Sequence, residues 1–282
     1  MENRIWSLAH GRTIELGAQA VVMGILNVTP DSFSDAGATL TVEAAVARAH
    51  EMAGEGASII DIGGESTRPD AEPVTALEEQ RRIMPVIAEL ARNHGLLLSV
   101  DTYREETARM AVEAGAHLVN DIWGLQREPG IARIAAQTGC GLVLMHNGRG
   151  RYRLPDLIED QAIFFRRSLA IAHETDLGDG QIVLDPGFGF AKDPAENLEL
   201  IARFAETRQF GYPLLVGTSR KRFLGHVTGR PPRERDTVTA ASSAILRLRG
   251  AAIFRVHDVS STVDALKLAD AVLQQEDTRK AP

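Results

Sequence analysis

The chain has 282 residues, of which 44% are hydrophobic and 24% are charged, so it is long enough to bury one large core. Its formal net charge of −7 gives no broad basic field, which argues against binding to a nucleic-acid backbone. Cys140 is the one cysteine in the sequence, so no internal disulfide can form, and we interpret it as a small core residue. No N-terminal stretch resembles a signal peptide or a membrane span, and the expected location is the cytoplasm.

Eight apolar runs bounded by turn residues predict eight strands. Most of them are apolar throughout, as in VVMGIL and GLVLM, which is typical of parallel strands buried on both faces. The predicted strands lie near residues 20–26, 57–62, 96–101, 117–121, 140–146, 181–185, 213–218 and 252–257. Segments with helical periodicity lie between or after them, near residues 42–54, 76–93, 104–114, 129–137, 157–175, 195–208, 237–249 and 261–274.

The alternation of strands and helices predicts an α/β fold, a single (β/α)₈ TIM barrel domain over residues 1–282. An open doubly wound sheet is also compatible with alternation alone, but eight repeats favour the closed barrel. Before the first strand, RIWSL and RTIEL flank a turn-like Ala-His-Gly, which predicts a short β-hairpin within residues 1–19. Residues 276–282 are expected to form a flexible tail.

The predicted strands end in polar residues, where a barrel of this kind carries its reactive groups. A single Asp or Asn after a strand often caps the next helix, and that alternative applies to Asp121 and Asp258 in particular. Eight polar ends on one rim favour a shared site over eight independent caps. These ends are Asn27, Asp61, Asp101, Asn120, Asp121, His146, Asp185, residues 218–221 and residues 255–258.

Cationic residues follow the last two strands. Arg255 and His257 lie on the same side of their strand because side chains alternate, and together with Arg68 they could bind a group with two or three negative charges. Another cationic segment, residues 219–221, follows Gly217. Since the loops after strands seven and eight are the usual phosphate site of this fold, the sequence predicts a phosphorylated substrate.

Eight short motifs occur in order along the chain. They are MGILNVTPDSFSD at 23–35, IDIGGESTRP at 60–69, SVDT at 99–102, VNDI at 119–122, LMH at 144–146, LDPGFGF at 184–190, VGTSRK at 216–221 and RVHDV at 255–259. From about residue 20 to residue 275, the chain resembles the dihydropteroate synthase family of pterin-binding enzymes. The resemblance implies a transferase that joins 6-hydroxymethyl-7,8-dihydropterin diphosphate to p-aminobenzoate and releases pyrophosphate. It also implies Mg²⁺ as the cofactor and a homodimer.

The resemblance also assigns roles to individual positions. The pterin would be held by Asp101, Asn120, Met145, Asp185, Phe190, Gly217 and Lys221. The diphosphate would be bound by Asn27, Arg68, Arg255 and His257, with Mg²⁺ on Asn27. The p-aminobenzoate would contact Phe33, Thr67, Pro69 and Ser219. The catalytic candidates are Asp35, Asp101 and Lys221.

The chemistry expected of these groups is a dissociative substitution without a covalent enzyme intermediate. Asp185 can accept two hydrogen bonds from adjacent N–H groups of a pterin, and Lys221 can donate to its oxo group. Cations and Mg²⁺ would assist the departing diphosphate, while Asp35 and Asp101 would add negative potential near the pterin cation. Residues 28–38 are expected to form a loop that closes over both substrates.

Other functions stay open at this point. A corrinoid-type methyltransferase module shares the barrel and the pterin-recognition residues, but it would need a separate cobalamin domain. A non-catalytic pterin-binding paralogue, or an aldolase that forms a Schiff base on Lys221, is also compatible with parts of the pattern. The chain departs from the usual family pattern at residues 147–155, which read NGRGRYRLP, and at Arg222.

Overall fold

An antiparallel hairpin precedes the barrel, as the sequence predicts. It consists of β1 (Arg4–Ser7) and β2 (Thr13–Leu16). The computed structural model describes residues 3–29, 41–66, 72–92 and 95–280. Trp6 is buried with Leu8 and Leu16 against apolar side chains at the N-terminal end of the barrel, and its indole nitrogen donates to the carbonyl oxygen of Gln181 (2.8 Å). The hairpin therefore covers the end of the barrel where the strands begin.

Parallel strands form the barrel itself. They are β3 (Val21–Asn27), β4 (Ile59–Gly63), β5 (Leu97–Asp101), β6 (Leu118–Asp121), β7 (Gly141–Met145), β8 (Ile182–Asp185), β9 (Leu215–Val216) and β10 (Ile253–Val256). Their order in the sheet is β8-β7-β6-β5-β4-β3-β10-β9. Within the described ranges, β8 and β9 are joined by one bridge between Leu184 and Leu214. The predicted (β/α)₈ barrel is confirmed.

Helices connect the strands. They are α1 (Val42–Gly54), α2 (Ala76–Leu90), α3 (Glu105–Glu113), α4 (Gly130–Thr138), α5 (Leu157–His173), α6 (Pro194–Ala202), α7 (Arg222–Thr228), α8 (Asp236–Leu248) and α9 (Val259–Lys280). Short 3₁₀ segments cover Asp179–Gln181, Phe204–Phe210 and Pro232–Glu234. The side chains of Thr41, Thr75, Asp156 and Asp193 accept backbone hydrogen bonds at the starts of α1, α2, α5 and α6. None of the described helices is long and apolar enough to cross a membrane.

Three elements differ from the sequence prediction. Instead of one helix over 195–208, the structure has α6 followed by a 3₁₀ segment. Gly211, with a φ of +80°, terminates this segment. Helix α7 was not predicted, because seven residues that include Gly225 carry little helical periodicity. Helix α9 includes residues 276–280, which were expected to be a flexible tail.

The interior of the barrel changes from apolar to polar along the strands. Side chains two residues apart on a strand face the same side. On β4, Ile59 packs in the apolar cluster near the hairpin, and Asp61 follows it on the same side. On β10, Ile253 and Arg255 repeat this order. The alternation thus places polar side chains above an apolar floor, at the C-terminal end of the barrel.

Candidate active site

Polar side chains from five strands meet inside the C-terminal end of the barrel. Each lies two or four positions after an apolar interior residue of its own strand. They are Asp61, Asp101, Asn120, Asp185 and Arg255. Three of them, Asp61, Asn120 and Asp185, are at most 5% exposed. Because so many polar groups are buried close together, each needs a hydrogen bond or an opposite charge to compensate for the water it has lost.

Arg255 lies at the centre of this group. Its Nε donates to Oδ2 of Asp61 (2.5 Å), and its Nη2 donates to Oδ2 of Asp101 (2.6 Å). The side-chain amide of Asn120 also donates to Oδ2 of Asp61 (3.2 Å). Burial raises the pKa of Asp101 to about 7, with the charge of Arg255 opposing the rise and that of Asp61 adding to it. Two buried carboxylates therefore share one guanidinium.

Asp61 belongs to this network, although the sequence gives it no ligand role. Its side chain is fully buried, and its Oδ1 has no hydrogen-bond partner among the described residues. Because an unsatisfied buried acceptor is unfavourable, a hydrogen-bond donor on a bound ligand would stabilise the site at this atom. The available signal was the position of Asp61 near the end of an apolar run. What the sequence lacked was the strand order that brings it beside Arg255.

Asp185 ends β8, and Lys221 follows β9 by five residues; the charge of each acts on the pKa of the other. Oδ1 of Asp185 accepts from the N–H of Gly187 (2.7 Å), and Nζ of Lys221 donates to the carbonyl oxygen of Phe188. Burial raises the pKa of Asp185, and the charge of Lys221 opposes that rise. Burial lowers the pKa of Lys221 to about 8, with Asp185 opposing. A Cβ at Gly217 would lie 4.0 Å from Nζ of Lys221, which is ordinary contact.

An apolar wall adjoins these charges. It consists of Tyr103, Ile122, Met145 and Phe190, with Trp123 packed against them. Nζ of Lys221 lies 4.9 Å from the ring centroid of Phe190, and the guanidinium carbon of Arg149 lies 4.8 Å from it. Sequence reasoning predicted a packing role for Met145 and Phe190. It missed Arg149, which lies in the segment 147–155 that departs from the family pattern.

Ser219 and His257 lie together at the ends of the last two strands. Oγ of Ser219 is 2.9 Å from Nδ1 of His257 and accepts from the backbone N–H of the same residue (3.1 Å). The adjacent Arg220 has a left-handed backbone, with φ of +57°, and donates two hydrogen bonds of 2.7 Å to Asp236. This bidentate pair holds a turn that a non-glycine residue rarely adopts. The turn carries Ser219 and Lys221.

Asn27 fits the Mg²⁺ site that the family resemblance implies. It is in register with Gly63 on β4, and Gly63 is in register with Asp101 on β5. A Cβ at Gly63 would lie 3.4 Å from Cβ of Asp101 and 3.8 Å from Oδ1 of Asn27, so these two side chains border the same space beside the glycine. An amide oxygen suits Mg²⁺, which is typically bound by few protein groups together with substrate phosphates.

Several predicted contact residues lie outside the described ranges. They are Phe33, Asp35, Thr67, Arg68 and Pro69. Their roles stay predictions. The chain on both sides of residues 67–71 is nevertheless fixed by Arg104, whose Nη2 lies 2.6 Å from Oε2 of Glu65 and donates to the carbonyl oxygen of Val74 (2.6 Å).

Two polar strand-end residues cap local backbone. The carboxylate of Asp121 accepts from the N–H groups of Trp123 (2.8 Å) and Leu125 (2.6 Å). Oδ1 of Asp258 accepts from the N–H of Ser261 (3.4 Å) in the first turn of α9. The helix-capping role considered from the sequence therefore matches the contact of Asp258. Asp121 instead holds the turn after β6, since α4 begins only at Gly130.

Comparison with known proteins identifies the family. Residues 23–257 match the family model described as pterin binding enzyme. The dihydropteroate synthase of Bacillus subtilis (strain 168) is 45% identical over 257 residues, which cover 91% of this chain and 90% of that protein. The chain belongs to the dihydropteroate synthase family. The resemblance inferred from the eight motifs is thereby confirmed.

Solved structures of the family share the same fold. The dihydropteroate synthase of Clostridium difficile, crystallised in the presence of pteroic acid, has a TM-score of 0.88 and 40% identity, covering 91% of this chain and 98% of that one. The Xanthomonas albilineans dihydropteroate synthase with 4-aminobenzoic acid has a TM-score of 0.88 and 42% identity, covering 95% of this chain and 98% of that one.

Proposed function

We propose that this chain condenses 6-hydroxymethyl-7,8-dihydropterin diphosphate with p-aminobenzoate to give 7,8-dihydropteroate and pyrophosphate. The reaction makes it a transferase, in agreement with its family. The observation that carries the proposal is a buried carboxylate and a buried ammonium group, Asp185 and Lys221, whose charges act on each other beside the ring of Phe190. The ligands of the two solved family members, pteroic acid and 4-aminobenzoic acid, support the choice of substrates.

Pterin recognition follows from the hydrogen-bonding character of these groups. A 2-amino-4-oxo pterin presents adjacent N–H donors that the carboxylate of Asp185 accepts, while Lys221 donates to the oxo group and Asn120 adds a further polar contact. The ring packs against Met145 and Phe190. Rings that lack this donor pattern are rejected, because the buried polar groups of the site would be left unpaired.

Release of diphosphate is the difficult part of the reaction. Arg255 has five N–H donors, and its two carboxylate contacts leave others to bind diphosphate oxygens, together with His257 and Arg68. Asn27 would hold Mg²⁺, which would supply positive charge to the departing oxygens. Asp101 and Asp35 place negative potential near the positive charge that develops on the pterin methylene.

The second substrate needs no strong base. An aromatic amine is neutral at pH 7 and attacks the methylene directly, so the protein has only to orient it. Ser219 lies beside His257 at the strand ends and orients p-aminobenzoate together with Phe33, Thr67 and Pro69. No covalent bond to the protein forms in this mechanism.

Pyrophosphate release by the purified protein tests the proposal. The reaction contains the pterin diphosphate and Mg²⁺, with and without p-aminobenzoate. We expect release that depends on p-aminobenzoate and falls at least about a hundredfold in Asp185→Asn, which loses the charge that reads the pterin. Asp264→Asn, at an exposed position of α9, is the matched control and should keep full activity. Pterin binding without pyrophosphate release would contradict the proposal in favour of a non-catalytic paralogue.

We extend the proposal to a homodimer formed through the last helices. Exposed apolar side chains on α7, α8 and α9 support it: Val227, Ile245, Leu248, Leu268 and Val272. Sedimentation should give twice the chain mass, and Leu268→Glu should shift it towards the monomer. A monomeric native protein would contradict this part. A single domain acting in the cytoplasm stays a prediction.

A further inference from the structure

Lys192 is a buried lysine that the proposed mechanism does not use. It lies in the loop between β8 and α6 and is 9% exposed. Its Nζ lies 2.9 Å from the carbonyl oxygen of Gly187 and 2.9 Å from Nδ1 of His146. Burying an ammonium group is unfavourable unless specific partners compensate for the lost water. These two contacts therefore compensate for the burial of Lys192 and fix the position of its ammonium group.

The first contact leads to Asp185. Gly187 receives the hydrogen bond of Lys192 on its carbonyl oxygen and donates its own N–H to Oδ1 of Asp185 (2.7 Å). The turn leaves little room for movement, because Gly187 has a φ of +69° and a Cβ there would lie 2.0 Å from the carbonyl oxygen of His146. Lys192 thus fixes the peptide group that follows Gly187, and the peptide group that precedes Gly187 donates to the carboxylate of Asp185.

The second contact anchors Lys192 to helix α5. Burial lowers the pKa of His146 to about 3, with Lys192 adding to the fall, so its neutral ring accepts from Lys192 at Nδ1. Its Nε2 lies 2.9 Å from Oδ2 of Asp160 and 2.7 Å from Nη2 of Arg151. Arg151 donates to Oδ1 of the same carboxylate (2.9 Å). Since Arg151 lies in the segment 147–155, the departure from the family pattern also supports this chain of contacts.

Charge links Lys192 to Asp185 as well. The charged groups that act on Asp185 are Lys221, Lys192 and Arg255, and all three favour its ionised form. Lys192 in turn is acted on by Asp185, Lys221, Asp160 and Arg153. Burial lowers the pKa of Lys192 to about 7, with Asp185 opposing. Removing the positive charge of Lys192 would leave Asp185 harder to ionise.

We propose that Lys192 is a positioning residue for pterin recognition, which orients Asp185 through Gly187 without touching the substrate. The inference rests on the proposed role of Asp185 as the carboxylate that reads the pterin. The inference predicts that the affinity for pterin depends on Lys192, a side chain beneath the site.

Pterin binding across a pH series separates this role from a merely structural one. The probe is 6-hydroxymethylpterin, measured by calorimetry with the full chain. Lys192→Met removes the charge and the donor, whereas Lys192→Gln removes the charge but keeps an N–H donor on a side chain one atom shorter. Lys267→Met, at an exposed position of α9, is the matched control. Asp185→Asn reports independently on the proposed pterin site.

We expect about tenfold weaker pterin binding in Lys192→Met and a smaller loss in Lys192→Gln. Loss of the positive charge raises the pKa of Asp185, so in both variants the acidic limb of the binding curve should move to higher pH. The KM for pterin diphosphate should rise while that for p-aminobenzoate changes less than about twofold.

Two results would overturn the inference. One is folded Lys192 variants with the native affinity and pH curve, in a protein whose pterin binding is lost in Asp185→Asn. The other is failure of both Lys192 variants to fold, which would assign the lysine to the fold alone. Native binding by Asp185→Asn would instead count against the proposed pterin site itself.

Discussion

Replacing Asp101 with asparagine should make the protein more stable above neutral pH. Asp101 and Asp61 share the single guanidinium of Arg255, and burial raises the pKa of Asp101 from 3.8 to about 7. Between about pH 4 and pH 7, the folded protein therefore retains a proton on this carboxyl group that the unfolded chain has lost. Stability from this source is fully present below about pH 4 and is lost as the pH rises through about 7.

The size of the effect follows from the shift. One pKa unit corresponds to about 1.4 kcal/mol, so ionising Asp101 in the folded state lowers the free energy of unfolding by about 4 kcal/mol over this window. An asparagine resembles the protonated acid, since it is neutral and its oxygen still accepts from Arg255. We expect Asp101→Asn to gain roughly 2 to 4 kcal/mol over the native protein at about pH 8 and little at about pH 4.

Urea unfolding followed by circular dichroism measures this difference. Native protein, Asp101→Asn and the exposed control Asp264→Asn are compared at about pH 4, 6 and 8. A difference between native protein and Asp101→Asn that does not change with pH would refute the reasoning. The same variant should lose most of its pyrophosphate release, because the negative potential beside the pterin cation is removed.

Two further substitutions test the packing around the site. Gly187→Ala should lower the free energy of unfolding by at least about 3 kcal/mol in urea titrations, because its Cβ would overlap a backbone carbonyl oxygen. The control is Gly211→Ala, which is also at positive φ but in open space, and it should lower the free energy of unfolding by only about 1 kcal/mol. Equal losses in the two variants would contradict this reasoning. Arg247→Met leaves Asp270 without its buried partner and should lower the free energy of unfolding by about 3 to 5 kcal/mol. The exposed Arg109→Met is the control and should leave the unfolding midpoint nearly unchanged; similar midpoints for the two variants would argue against a buried ion pair.

The barrel and the place of its site could be predicted because one pattern encodes both. Continuous apolar runs identify parallel strands, and the polar residue at the end of each run falls at the same end of the barrel. Thus Asp185 and Asn120 could be located from the sequence alone. Their roles could not be predicted in this way, because the periodicity and burial of side chains do not specify a ligand. The roles came from the family resemblance.

Contacts between distant strands were beyond the sequence. Arg255 and Asp61 are 194 residues apart, and only the order of strands in the closed sheet brings them together. The same limit applies to Lys192, whose partners lie on a different strand end and in a tight turn. Short helix α7 was missed because seven residues complete only about two turns.

The sparse pairing between β8 and β9 means that substrate binding should also stabilise the barrel. Because one bridge joins these strands among the described residues, we expect local opening of the barrel to occur there first. Asp185 ends one of these strands and Lys221 follows the other. A pterin bound by both side chains would link the two strands and oppose their separation. Amide hydrogen exchange along β8 and β9 should therefore slow on binding more than exchange in β4 and β5.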